Sequence, residues 1–296
     1  MTDLPRLDPR LTPARPDLAD ERLRGRVEAA AYVPGRPHRI AVPVAPLRRA
    51  PDPAAGLDSE ALFGEAVTIF DIRDGWAFAQ LAADSYVGYL PAEALGPADP
   101  APTHRVSALR TFLYPAADLK RPALGALGLG AQVAVTAREG AYARLDDGRY
   151  VWAGHLAPRD AIEPDIAATA LRFLGTPYLW GGRSSLGLDC SGLVQTALHA
   201  AGLAAPRDSD QQEAALGEVV APGPSLAGLR RGDLVFWRGH VGMMLDETQL
   251  IHANGHHMAV AIEPLAEAEA RIRAGRTGPG TGDGAIRAVK RLVPAA

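Results

Sequence analysis

One cysteine and two histidines carry the chemistry this chain could do. Cys190 is the only cysteine among 296 residues. It stands in Leu188-Asp189-Cys190-Ser191-Gly192, just ahead of Leu193, Val194, Ala197, Leu198 and Ala201, whose spacing predicts an amphipathic helix. A thiol at a helix N-terminus meets partial positive charge and free amide donors, which favour the nucleophilic thiolate. The competing reading is a small, inert, buried side chain. His240 and His252 lie twelve positions apart around a turn at Asp246-Glu247-Thr248, so adjacent antiparallel strands would set the two rings side by side. A thiol, an imidazole and a polar group that orients it are the parts of a thiol acyl-transfer site. His240 would be the base, with an ordinary pKa near 6.5, and His252 would fix its tautomer. Either histidine alone reads more readily as a satisfied core or surface residue.

Positioning these groups falls to the last third of the chain. Ile166, Ala170, Leu171, Phe173 and Leu174 predict one apolar helical face that ends at Gly175-Thr176-Pro177. The runs Leu234–Trp237, His240–Leu245 and Gln249–Ile251 read as strands. Upstream the pattern is of short strands broken by turns: Ala66–Phe70, Trp76–Leu81 and Tyr86–Leu90, then again Gln132–Thr136, Ala141–Leu145 and Tyr150–Trp152. The repeat offset stays near one length, so two copies of a small antiparallel barrel are expected, joined by the Pro/Ala linker Gly96–Thr103. Residues 1–30 carry one helix-like stretch, Asp17–Ala31, without a wide apolar face, and read as an arm lying on the body.

Composition excludes several classes. With 47 % apolar and 22 % charged residues the chain is neither fibrous nor wholly disordered. Its net charge of -3 gives no electrostatic reason to bind nucleic acid or an anionic membrane, and no apolar run reaches the ~18–20 residues of a membrane helix. The opening Met1-Thr2-Asp3-Leu4-Pro5 has no secretory pattern, so a cytoplasmic location is expected. His252, His256 and His257 lack a carboxylate or second cysteine at ligand spacing, so no metal and no cofactor is expected. Gly280–Gly284 has no strand-to-helix context for a nucleotide, and Arg276–Gly284 reads as a mobile loop.

Together these motifs carry a resemblance. Pro177-Tyr178-Leu179-Trp180-Gly181-Gly182, the Asp189-Cys190-Ser191-Gly192 box, Arg207 with Ser209 and Gln212, Gly232-Asp233-Leu234, His240-Val241-Gly242 and His252-Ala253 resemble the NlpC/p60 family of papain-like cysteine peptidases. The strand pattern before them resembles bacterial SH3-like domains. The resemblance implies an α+β architecture: an arm at 1–35, SH3-like domains at 36–98 and 104–160, and a papain-like catalytic domain at 161–296. It implies a cysteine endopeptidase of murein stem peptides that cuts between D-glutamate's γ-carboxyl and a diamino acid such as meso-diaminopimelate, in peptide recycling. Cys190 would be nucleophile, His240 base and His252 the third polar residue, with Tyr178 a side-chain oxyanion donor. Asp189 and Ser191 would hold the free L-alanine amine and its amide, Arg207 the D-glutamate carboxylate, and Ser209 a further contact unless Ser209-x-x-Gln212 is a capping box. Glu65 and Tyr86 of the first barrel would close the pocket around that amine. The partner would be a small peptide, with the oligomeric state open. A lipid-directed papain-like acyltransferase and an inactive wall-peptide binding protein are the rival readings.

Overall fold

Alternating apolar residues and turn-forming pairs make strands the main regular structure of the described residues up to Arg159, with only three 3-10 turns beside them. The computed structural model describes residues 7–221, 223, 226–275 and 282–292. The chain divides into two compact units, Met1–Arg159 and Asp160–Ala296.

In the first unit a seven-stranded antiparallel sheet runs in the order Leu57–Leu62, Val44–Arg48, Val87–Pro91, Trp76–Leu81, Ala66–Arg73, Arg36–Ile40, Leu95–Gly96. Ile40, Leu47, Val67, Ile69, Leu81 and Leu90 fill its interior. The Ala66–Arg73 hairpin turns at Asp74-Gly75, both with positive φ, as a two-residue hairpin loop requires. Residues 104–158 form three smaller sheets around Val106, Leu113, Leu127, Val133, Leu145 and Val151. The two groups of strands meet at Phe63-Gly64, where the Gln132 amide donates to the Phe63 carbonyl at 2.7 Å. Gly64 has φ +76°, and a Cβ there would lie 1.9 Å from the Gln132 carbonyl oxygen, so only glycine fits.

The expected helix over Asp17–Ala31 is absent. Leu18–Asp20 instead pairs in parallel with Ala31–Val33, with one 3-10 turn at Glu21–Leu23 between them. The Asp20 carboxylate caps that turn by accepting from the Arg22 amide, and Gly25 (φ +79°) ends it. Without an apolar stripe to bury, a longer helix has nothing to hold it. The segment is pinned at its start through Arg15, which bonds Asp17 at 3.0 Å, lies 4.7 Å over the Phe78 ring and is 2.8 Å from Asp71.

The second unit is a sheet packed by helices. Its six strands lie in the order Glu218–Val220, Asp283–Arg291, Leu234–Arg238, His240–Met244, Gln249–Asn254, Ala259–Pro264, every neighbour antiparallel. Helix α1 (Ile166–Leu171) is capped by Asp165, whose carboxylate accepts from Ala168 N–H at 3.0 Å. The chain leaves the helix at Arg172, so Leu174, expected on the apolar face, is 54 % exposed. Helix α2 (Cys190–Ala200) is buried along nearly its whole length against α1 and the strands bearing the two histidines. Helix α3 (Ser209–Ala215) and α4 (Leu265–Arg273) follow. The positions 276–281 of the expected loop lie outside the described residues, whereas Asp283 and Gly284 belong to the strand Asp283–Arg291. Among the described residues no helix is long and apolar enough to cross a membrane.

Candidate active site

Cys190 is the first residue of α2, and its position is set by the residue before it. Asp189 is the N-cap: its Oδ1 accepts from Gly192 N–H at 2.7 Å and from the Ser191 hydroxyl at 3.2 Å, and its Oδ2 from Gly181 N–H at 2.9 Å. Arg207 completes the carboxylate's shell, with Nη1 2.9 Å from Oδ1 and Nη2 2.7 Å from Oδ2. The helix start is also pressed onto the preceding loop, since a Cβ on Gly192 would lie 2.2 Å from the Gly182 carbonyl oxygen. Glycine is the side chain that allows that approach.

Arg207 therefore turns its donor fork to Asp189 and not to the outside carboxylate expected for it. It is 1 % exposed, and its guanidinium holds Asp189, the Ser191 hydroxyl (3.0 Å) and the Gly182 carbonyl (3.3 Å). A bidentate fork matches any carboxylate, and here the one it meets is the protein's own. Asp189 and Ser191 are likewise buried and engaged within this network. Ser209 is half-buried at the start of α3, but the capping box there is Asp208 with Gln211, one position earlier than expected. Gln212, fully buried, donates from Nε2 to the carbonyls of Ser191 (3.0 Å) and Pro206 (2.9 Å), tying α3 to the nucleophile's helix.

The histidines occupy neighbouring antiparallel strands, as the turn between them predicts. His240 Nε2 and His252 Nδ1 are 2.8 Å apart. Beyond them stands a residue that sequence reasoning missed: Glu263, whose Oε1 is 2.7 Å from His252 Nε2. The strand register makes the contact, because His252 pairs with Ala261 and Glu263 is the next residue on that face. Arg271, from α4, donates to both oxygens of Glu263, from Nη1 to Oε2 at 2.6 Å. A lone carboxylate at the end of the apolar run Ala259–Ile262 was the one available signal.

Electrostatics set the protonation states. Burial, and then the Asp189 charge, push the Cys190 thiol up to about 12, against the smaller opposing pull of the Val241 and Ser191 amides that donate to the sulfur. The helix terminus is present, but burial outweighs it, so the resting group is the thiol and not the expected thiolate. Burial first, then the neighbouring His252 and Arg271, hold His240 well below 6.5, and burial lowers His252 as well. Both rings are neutral at pH 7. Glu263 is held well below the usual carboxylate range by its bonds to His252 and Arg271, which outweigh its burial. The Tyr178 phenol is raised, by burial and then by Cys190 and Asp189 nearby, and stays a donor.

His240 Nδ1 is buried and has no hydrogen-bond partner among the described residues. The next residue, Val241, donates its amide to the Cys190 sulfur, so the bare nitrogen belongs to the residue beside the thiol. Such a site can pass a proton from a thiol to an imidazole and on to a leaving group.

A carboxylate does join the histidines in space: His252, His257 and Glu263 offer donor atoms within 4.8 Å of one another. The group does not fit a cation. Arg271 already covers both Glu263 oxygens, His252 Nε2 is committed to Glu263, and His257 Nδ1 bonds Asn254 Oδ1 at 3.0 Å. In the first unit Glu65 and Tyr86 are both buried. Glu65 turns back to accept from Leu62 N–H at 2.9 Å, and Tyr86 N–H donates to Asp84 at 3.0 Å.

Comparison with known proteins agrees with this architecture. The NlpC/P60 family model matches residues 175–273, and that of the bacterial dipeptidyl-peptidase Sh3 domain matches residues 47–95. Dipeptidyl-peptidase 6 of Lysinibacillus sphaericus is 36 % identical over 116 residues, 39 % of this chain and 41 % of that protein, so this match spans less than half of the relative. Gamma-D-glutamyl-L-lysine dipeptidyl-peptidase of Bacillus cereus is 27 % identical over 241 residues, 71 % of either chain. The crystal structure of an NlpC/P60 family protein from Bacillus cereus shares the fold, with a TM-score of 0.71 over 88 % of this chain and 100 % of that one, at 23 % identity. The chain thus carries a papain-like NlpC/P60 family domain behind an N-terminal, β-rich bacterial SH3 region.

Proposed function

We propose that the protein is a cysteine endopeptidase that cuts the γ-D-glutamyl bond to a diamino acid in murein stem peptides with a free N-terminal L-alanine, in the recycling of such peptides in the cytoplasm. The observation that carries it is the bare, buried Nδ1 of His240, the residue whose chain neighbour Val241 donates its amide to the buried Cys190 sulfur. The substrate class draws support from the names of the Bacillus cereus relative and of a Bacillus subtilis protein 27 % identical over 235 residues, both gamma-D-glutamyl-L-lysine dipeptidyl-peptidases.

Each step balances on residues of this chain. The Cys190 proton passes to His240 Nδ1 as sulfur attacks the γ-carbonyl carbon. Amides at the start of α2 and the Tyr178 hydroxyl are donors for the oxyanion. The imidazolium formed donates through Nε2 to His252, whose Nε2–H donates to Glu263. Collapse breaks the C–N bond, and His240 gives the proton to the departing amine. Water, deprotonated by His240, then splits the thioester and returns the thiol.

The test is incubation of the protein, with Cys190→Ala beside it, with L-Ala-γ-D-Glu-meso-diaminopimelate, its L-lysine counterpart and N-acetylated copies of both, followed by mass spectrometry. Release of L-Ala-D-Glu from the free peptides alone, lost in the variant, is the expected result. Cleavage of the acetylated copies would remove the free-amine requirement. Cleavage of none would return the reading to an acyltransferase or a binding protein.

A further inference from the structure

We propose that Glu263, clamped by Arg271, is a positioning residue that fixes the tautomers of both histidines, so that Nδ1 of His240, the nitrogen left unpartnered, is the one without a proton. Arg271 supplies both oxygens of Glu263 with N–H donors. An arginine cannot give up its proton to the carboxylate, and an ionised carboxylate can only accept. At the 2.7 Å contact the proton therefore sits on His252 Nε2.

A neutral imidazole carries one proton, so His252 Nδ1 is left as an acceptor. The 2.8 Å contact between His252 Nδ1 and His240 Nε2 is then possible only with the proton on His240 Nε2. His240 Nδ1 is consequently bare, as a base needs, and it is the atom the structure leaves without a partner. Burial of both rings keeps water from supplying alternative partners along the chain. The carboxylate reaches the thiol only through two intervening rings and touches no substrate atom.

Replacing the carboxylate by its amide tests the logic with little change of shape. A glutamine can turn its NH2 group to His252 Nε2, which reverses every donor in the chain and leaves a proton on His240 Nδ1. We expect Glu263→Gln to lower kcat by at least about 10- to 100-fold, the size of effect that losing an outer-shell partner of a functional histidine has. KM should stay within about twofold, because no substrate contact is lost.

Two readouts separate this positioning role from simple loss of structure. In the 15N-histidine-labelled full chain, long-range 1H–15N spectra should show both His240 and His252 protonated on Nε2, assigned with His240→Asn and His252→Asn. In Glu263→Gln one or both should gain Nδ1–H character. Alkylation of Cys190 by iodoacetamide should slow by a similar factor in Glu263→Gln, with no other thiol in the chain to contribute.

The inference builds on the proposed peptidase reading, yet neither readout uses a peptide. Failure to cut murein peptides with the tautomers as stated would sink the substrate reading alone. Wild-type histidines carrying Nδ1 protons would overturn the inference whether or not any variant folds. So would a Glu263→Gln protein with unaltered tautomers, alkylation rate and kcat.

Discussion

Two carboxylate–arginine pairs serve the site, one buried beside Cys190 and one partly buried beyond the histidines, and they do opposite work with the same chemistry. Asp189 and Arg207 lie on the helix side, where the carboxylate accepts from Gly181, Gly192, Ser191 and the guanidinium. Every donor there is backbone, hydroxyl or arginine, so the pair fixes geometry and moves no proton. Glu263 and Arg271 lie on the strand side, where one partner is an imidazole. That substitution turns a clamp into the terminus of a proton chain. What a buried ion pair does is thus decided by the one neighbour that can change its protonation.

The comparison breaks most visibly at the clamp. Asp189→Ala leaves Arg207 charged, buried and without its carboxylate, and should destabilise the second unit by about 3–5 kcal/mol in a denaturant melt. A loss below about 1 kcal/mol would mean that water or another group satisfies Arg207. Next in size is acid sensitivity on the strand side. His240 and His252 titrate below 6.5 when folded, so the unfolded chain binds protons first as pH falls below that value. Stability should drop below pH 6.5 by up to about 1.4 kcal/mol per pH unit for each ring. His252→Asn should flatten that slope, and an unchanged slope would place its origin elsewhere. At alkaline pH the sign reverses, because the Cys190 thiol is raised from 9.0 to about 12. Stability should fall above pH 9, and Cys190→Ala should remove that part of the loss.

Smaller effects sharpen the contrast. Gly192→Ala drives a methyl into the Gly182 carbonyl and should cost about 1–3 kcal/mol while changing the Cys190 alkylation rate. Unaltered alkylation would show that the loop and helix start move together. The surface pair Arg49–Asp58, 2.6 Å apart with Arg49 61 % and Asp58 20 % exposed, should contribute least. Arg49→Ala should shift stability by less than about 0.5 kcal/mol, since water already solvates the Arg49 guanidinium and screens the pair.

Much of this site is legible in the sequence, for physical reasons that also mark where legibility stops. Cys190 precedes a helix-period run and sits behind Asp189, a residue suited to N-capping, so its place at a helix start follows from local pattern. His240 and His252 flank a turn, so their adjacency follows from antiparallel pairing. Glu263 lies in a third strand, and its contact with His252 depends on a register that no local signal fixes. Arg207 reveals a carboxylate-binding fork but not whose carboxylate it binds. The thiol's protonation state fails for the same reason: the helix start is local information, whereas burial is a property of the whole packed unit. The segment Asp17–Ala31 shows the converse, since helix-compatible residues without an apolar stripe fold around single contacts such as Arg24 over the Tyr32 ring and the Tyr32 hydroxyl on the Val27 carbonyl.

The raised pKa of the buried thiol also bears on oxidative damage. Peroxides attack the thiolate, and susceptibility tracks both thiolate character and exposure. A resting Cys190 that is protonated and 6 % exposed offers little of either. The nucleophile is therefore sheltered between turnovers, and it becomes vulnerable only while a bound reactant has drawn its proton onto His240. Should a sulfenic acid form, these 296 residues hold no second cysteine to capture it as a disulfide, so repair would fall to a small thiol small enough to enter the site.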